Sequence, residues 1–165
     1  MRRTLIACLL LIPFLLPTAA QAEDLSAWAF SIGSFEFTDS RFEALEVGVE
    51  YRWDSFELWF MDLQPVVGFS ATEEEQYWAY GGFRWDLPLL GDHWVPTIGF
   101  AVTAYEDGDG KDLGGVLEFR SSFDLAYQWD SGNRLGLSFY HLSNASIYDS
   151  NPGSESLMLT YSFRR

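Results

Sequence analysis

His141, Ser143 and Glu155 are the residues of this sequence whose types and spacing could do chemistry together. They lie in the last quarter of the chain, 137–163, which reads LSFYHLSNASIYDSNPGSESLMLTYSF. Alternating segments flank a polar loop containing Gly and Pro, which predicts two strands joined as a hairpin. His141 and Ser143 end the first strand, and Glu155 begins the second. A strand residue and its second neighbour point to one face. The imidazole can therefore reach the hydroxyl, while Glu155 orients the ring from across the hairpin. These are the parts of an acyl-transfer site, with Ser143 as nucleophile, His141 as general base and Glu155 stabilising the imidazolium. An isolated His-x-Ser is more often a rim pair bonded to loop backbone. The added carboxylate and a shared face favour catalysis.

Parity says where that face points. Leu135, Leu137 and Phe139 precede His141 and Ser143 at odd positions, and Glu155 shares the parity of Leu157, Leu159, Tyr161 and Phe163. All three polar groups thus interrupt an apolar face.

The elements that must position them show the same period of two. Strands are expected over 28–37, up to Trp53, over 56–69, 77–85, 94–105 and 116–129, and in the final hairpin. The second carries Leu45, Val47, Val49, Tyr51 and Trp53 on one face and Glu46, Gly48, Glu50 and Arg52 on the other. The sixth alternates Leu117, Phe119, Phe123, Leu125, Tyr127 and Trp129 with Glu118, Arg120, Ser122, Asp124 and Gln128. Turns are expected at Asp54-Ser55, 86–92 and 130–133, with longer polar loops at 71–75 and 106–115. Pro65 marks a bulge or a strand edge.

Eight successive strands predict an all-β fold, an eight-stranded antiparallel up-and-down barrel. A soluble barrel would turn its apolar face inward and a transmembrane barrel outward. Trp28, Tyr51, Trp53, Trp85, Trp94, Tyr105, Trp129 and Tyr161 fall near strand ends, as aromatic girdles do, and favour the transmembrane barrel. The loops after strands one, three, five and seven then lie outside the cell, and the site with them.

The N-terminus fits that destination. Met1-Arg2-Arg3, an apolar run over 4–16 and Thr18-Ala19-Ala20-Gln21-Ala22 form the parts of a secretory signal peptide. Residues 1–22 are expected to be removed, leaving a single domain over 23–165. A lipobox reading of Leu5-Ile6-Ala7-Cys8 puts the cysteine too early in the apolar run. The leader holds the sequence's one Cys, so the mature domain is expected to be free of disulfides. Losing Arg2 and Arg3 takes the net charge two units below the −14 of the whole chain. That charge argues against nucleic acid as a partner. Beyond the leader, an 18% aromatic chain without an 18-residue apolar run is not a helical membrane protein.

The final hairpin also resembles a known family. His141-Leu-Ser143-Asn144-Ala145 followed by Asn151-x-Gly153-x-Glu155-Ser156 is similar to the signature of the outer-membrane lipid A 3-O-deacylases, the PagL family. Upstream, Gln64-Pro65-x-Val67-Gly68 is similar too. The resemblance implies an eight-stranded barrel of the bacterial cell outer membrane that hydrolyses the ester-linked acyl chain at position 3 of lipid A. It implies His141, Ser143 and Glu155 as a Ser-His-Glu triad. It also implies an oxyanion hole from the Asn151 side chain and the backbone N–H of Ser146. The family has Gly where this chain has Ser146. Pro152 and the terminal Arg164-Arg165 are further departures.

The expected partners are lipid A or lipopolysaccharide as substrate and outer-membrane lipids, with a homodimer left open. No cofactor or metal is expected. Asp107-Gly-Asp109-Gly-Lys-Asp112 begins like a Ca²⁺ loop but lacks the closing Glu. His93 has no second His or Cys for zinc. The alternative function is a non-catalytic barrel, in the outer membrane or binding lipid in the periplasm.

Overall fold

The computed structural model describes residues 26–91 and 93–164. The expected leader and its cleavage site lie outside the described residues. Among the described residues nine strands form: β1 (Ala27–Phe35), β2 (Ala44–Arg52), β3 (Phe56–Leu58), β4 (Met61–Thr72), β5 (Tyr77–Asp86), β6 (Trp94–Glu106), β7 (Leu117–Gln128), β8 (Arg134–Ser143) and β9 (Ser154–Arg164). All pairings are antiparallel, β1 joins β9, and β2 pairs with β4. Eight strands therefore close a barrel, with β3 as a short extension on β4.

That extension corrects the expected single strand over 56–69. Arg52 pairs with Val66, yet Phe56 pairs with Leu63, so the β2–β3 side carries one extra residue. Asp54-Ser55 is thus part of a bulge, and the chain reverses later, at Trp59-Phe60, where Leu58 faces Met61. Trp59 takes a positive φ of 59° there. Pro65 lies opposite the bulge, where Trp53 N–H donates to its carbonyl at 3.0 Å. A residue's N and C=O point to the same side of a strand, so the proline's missing donor falls where the ladder is already broken.

The parity expected from sequence holds around the wall. Phe30, Ile32, Val47, Phe69, Phe100, Phe123, Leu137 and Leu159 stand exposed on the outside. Inside, Glu46, Glu50, Arg52, Arg84, Glu118, Arg120 and Asp124 are buried. A soluble barrel cannot leave such an apolar band in water, whereas a transmembrane barrel requires it. Several of the interior charges pair: Arg52 Nε lies 2.7 Å from Glu50 Oε1, and Arg84 bridges Glu50 at 3.7 Å and Asp124 at 3.1 Å. Arg120 sits between the rings of Tyr80 and Tyr140, 4.8 and 4.1 Å from their centroids. The lumen is packed with side chains, as an eight-stranded barrel demands.

The two ends differ. Trp28, Tyr51 and Trp53 contact one another in series, as do Trp94, Tyr127 and Trp129, all at the end away from His141. Tyr105 does not join this belt. It lies at the other end and points inward, packed with Phe35 and Trp78 as a plug. Its parity is that of Thr97, Ala101 and Thr103, the inward set of β6.

Candidate active site

β8 and β9 form a continuous ladder in which His141 is directly opposite Glu155, and Phe139 opposite Leu157. On β8 the exposed residues are Leu135, Leu137 and Phe139, while Ser138, Tyr140 and Leu142 are buried. His141 and Ser143 continue the outer row, half-buried. Glu155 sits outside between buried Ser154 and Ser156. The three groups therefore share the apolar outer face, at one rim of the barrel.

His141 Nδ1 lies 2.9 Å from Glu155 Oε1. An ionised carboxylate only accepts, so Nδ1 carries the proton and Nε2 is left as the basic nitrogen. His141 and Ser143 share no hydrogen bond among the described residues. Their common face and two-residue spacing bring them side by side, and such contacts commonly tighten only when substrate binds. On its outer edge the imidazole meets the backbone of Gly153. A Cβ there would stand 2.8 Å from His141 Cε1 and 3.4 Å from Nε2, and Gly153 has a φ of +65°. Only glycine satisfies both the backbone angle and the space.

The loop after β8, residues 144–153, is organised by Asn144, which is fully buried. Its Nδ2 donates to the carbonyls of Leu113 at 2.8 Å and Ser150 at 2.9 Å. Its backbone N–H donates to Asn151 Oδ1 at 3.0 Å. That bond fixes the amide of Asn151 with its oxygen engaged and its NH₂ available as a donor. Ser146 is placed differently. Its N–H donates to Asn144 Oδ1 at 3.0 Å, and both Ala145 and Ser146 take positive φ, 52° and 61°. The Ser146 donor thus closes the loop upon itself in this arrangement.

Residues from two further loops reach the site, and no motif or spacing pointed to them. Thr38 Oγ1 lies 3.2 Å from Glu155 Oε2, and Phe37 N–H donates to the Glu155 carbonyl at 3.2 Å. Lys111, from the loop over 107–116, pairs with Glu36. Asn144 and Gly153 did lie in the recognised motif, so motif spacing could have flagged them. Thr38 sits in an ordinary Thr-Asp-Ser turn.

Other sequence candidates fall elsewhere. His93 Nδ1 lies 3.1 Å from the Gln128 carbonyl and its ring stacks on Tyr127 at 5.4 Å, at the opposite end. Asp107 and Asp112 serve local turns: Gly110 N–H donates to the Asp107 carbonyl and Gly114 N–H to Asp112 Oδ1. Among the described residues no group of three or more His, Cys, Asp or Glu is placed to hold a metal. A polar cavity of about 230 Å³, lined by Arg52, Asp62, Gln64, Asp86 and Arg134 among others, opens at the end away from His141.

Comparison with known proteins bears on the fold and the family. The chain is 28% identical over 117 residues to lipid A deacylase PagL of Bordetella bronchiseptica, an alignment covering 63% of each chain, so it spans somewhat less than two thirds of that relative. Its fold matches the crystal structure of the outer membrane enzyme PagL with a TM-score of 0.70, covering 84% of this chain and 99% of that one at 20% identity. The family model described as lipid A 3-O-deacylase (PagL) matches residues 43–164, including the whole β8–β9 hairpin, and the chain belongs to that family.

Proposed function

We propose that this protein is a serine esterase of the bacterial outer membrane that hydrolyses the 3-O-linked acyl chain of lipid A. The observation that carries the reading is the 2.9 Å contact of His141 Nδ1 with Glu155 Oε1 on the apolar outer face of the barrel. A polar group facing lipid is costly unless satisfied, and a bonded imidazole with a free Nε2 beside a serine is a poised base. Family membership and the named activity of the Bordetella relative supply the substrate class.

In this reading Ser143 Oγ attacks the ester carbonyl carbon, and its proton passes to His141 Nε2. Glu155 stabilises the resulting imidazolium through Nδ1–H. The Asn151 amide, its oxygen held by Asn144 N–H, donates to the developing oxyanion. A second donor from Ser146 N–H requires the loop to release that N–H from Asn144 Oδ1. The bond from the acyl carbon to the sugar oxygen then breaks, and His141 returns the proton to that oxygen. Water attacks the acyl-serine with His141 as base again, releasing a free fatty acid and restoring Ser143. The orientation follows: the rim bearing His141 faces outside the cell, where lipid A lies, and residues 1–22 act as the export leader.

Mass spectrometry of lipid A from cells with and without the protein tests this. The expected result is loss of one 3-O-linked acyl chain, abolished by Ser143→Ala and by His141→Ala. Unchanged lipid A, or an active Ser143→Ala variant, refutes it.

A further inference from the structure

Glu155 has two carboxylate oxygens, and only Oε1 is taken by His141. Oε2 faces Thr38 Oγ1 at 3.2 Å, a contact between residues 117 apart in sequence. The same hydroxyl lies 2.6 Å from Glu36 Oε1. A threonine hydroxyl has one proton, so it serves one carboxylate at a time. Glu36 Oε1 is the nearer acceptor, but Lys111 Nζ sits on the other oxygen of Glu36 and lessens its demand for that proton. Glu36 is also buried, so this pair is fixed, while the 36–38 turn is docked on β9 through Phe37 N–H.

We propose that Thr38 is a positioning residue for the triad, donating its hydroxyl to Glu155 Oε2, and that the Lys111–Glu36 pair keeps that proton available by satisfying the competing carboxylate. Lys111 belongs to the loop after β6 and Thr38 to the loop after β1. Two loops that carry none of the triad therefore set the orientation of its carboxylate. The donation holds the Glu155 plane so that Oε1 stays aimed at Nδ1. Without it the carboxylate rotates freely on the solvent side, and the imidazole loses its fixed direction.

The inference rests on the esterase reading, and two measurements separate them. The first is steady-state deacylation of purified lipid A in detergent micelles. Thr38→Val keeps the shape and removes the proton. Its kcat is expected to fall about 10-fold, as for loss of one hydrogen bond to a charged group, with KM unchanged. Thr38→Ser restores the hydroxyl and is expected to restore kcat. Lys111→Met is expected to reproduce the Thr38→Val defect, because unpaired Glu36 then claims the proton. The second measurement needs no substrate: the NMR resonance of the His141 Nδ1 proton in micelles. It is expected to shift in Thr38→Val and to return in Thr38→Ser. If wild-type protein leaves lipid A intact, the esterase reading fails, and the resonance still reports on the positioning. If wild type is active and Thr38→Val changes neither kcat nor the resonance, the inference fails. A Thr38→Ser variant as impaired as Thr38→Val also overturns it, since packing of the methyl group would then be responsible.

Discussion

Replacing Gly153 by alanine tests the geometry of the imidazole directly. The added methyl would stand 2.8 Å from His141 Cε1 and 3.2 Å from the Leu142 carbonyl oxygen. Carbon atoms in contact prefer about 3.5–4.0 Å, so the ring must retreat by roughly 1 Å. The Leu142 carbonyl belongs to β8, whose ladders to β7 and β9 hold it in place. The ring yields, and its 2.9 Å contact with Glu155 opens. A misplacement of about 1 Å in a catalytic group costs about 100-fold in rate. The φ of +65° adds a backbone penalty of about 1 kcal/mol for any residue with a Cβ.

The two effects are separated by Gly91→Ala. Gly91 has a φ of +80° with nothing within 4 Å of the added carbon, and it lies at the other end of the barrel. It bears the backbone strain without touching His141, Ser143 or Glu155. Deacylation of lipid A in micelles, with heat-modifiable gel mobility as the check on folding, reads both variants. Gly153→Ala is expected to stay folded and lose about 100-fold in kcat; Gly91→Ala is expected to keep its rate. A Gly153→Ala variant within about threefold of wild type would show that the imidazole is not held where the structure places it. An equal loss in Gly91→Ala would trace the defect to strain.

Other perturbations address the remaining parts. Glu155→Gln preserves the shape of the side chain but not the charge that stabilises an imidazolium, and kcat is expected to fall by at least about 100-fold in the same assay. Ser146→Gly relieves a φ of +61° and leaves the N–H in place, so thermal unfolding in micelles is expected to show a gain of about 1 kcal/mol with activity retained. Arg84→Met strips the partner from Asp124 and one partner from Glu50 inside the barrel, which is expected to cost about 3–5 kcal/mol in denaturant unfolding. Ile32→Arg, on the outer band, is expected to cost about 2–4 kcal/mol for refolding into bilayers and much less in detergent.

The wall of the barrel was legible in the sequence because two opposed solvents write a period of two. Glu50 alternating with Val49 and Tyr51 needs no tertiary information to be placed. Tyr105 was misplaced in the girdle because it lies near a strand end, although its parity belongs to the inward set of β6. Asp54-Ser55 misled because its composition is that of a turn, and a one-residue bulge uses the same residues. His141, Ser143 and Glu155 could be read as a group because they sit on adjacent strands of one hairpin. Thr38, Glu36 and Lys111 could not, because their contacts join segments brought together only by closure of β1 onto β9 and by the fold of the loop over 107–116.

The division between wall and loops also explains how His141, Ser143 and Glu155 persist as polar groups on an apolar face. Beside the site the lumen is filled by paired charges and tyrosines, and the cavity at the far end is lined by polar groups, so the interior offers an acyl chain no apolar space. On the proposed function a lipid substrate approaches from the membrane side, where the outer face of the barrel presents a sheet surface rather than an enclosing wall. The bilayer would supply the missing wall, which leaves the protein to provide orientation alone. Strands provide it for Ser143 and His141, whose spacing follows from the pleat. The loops provide it for the groups that a strand cannot aim: the Glu155 carboxylate through Thr38, the ring edge through Gly153, and the Asn151 amide through buried Asn144. On this argument, loop substitutions at these contacts reduce turnover without unfolding the barrel, whereas lumen substitutions such as Arg84→Met unfold it without a selective effect on kcat.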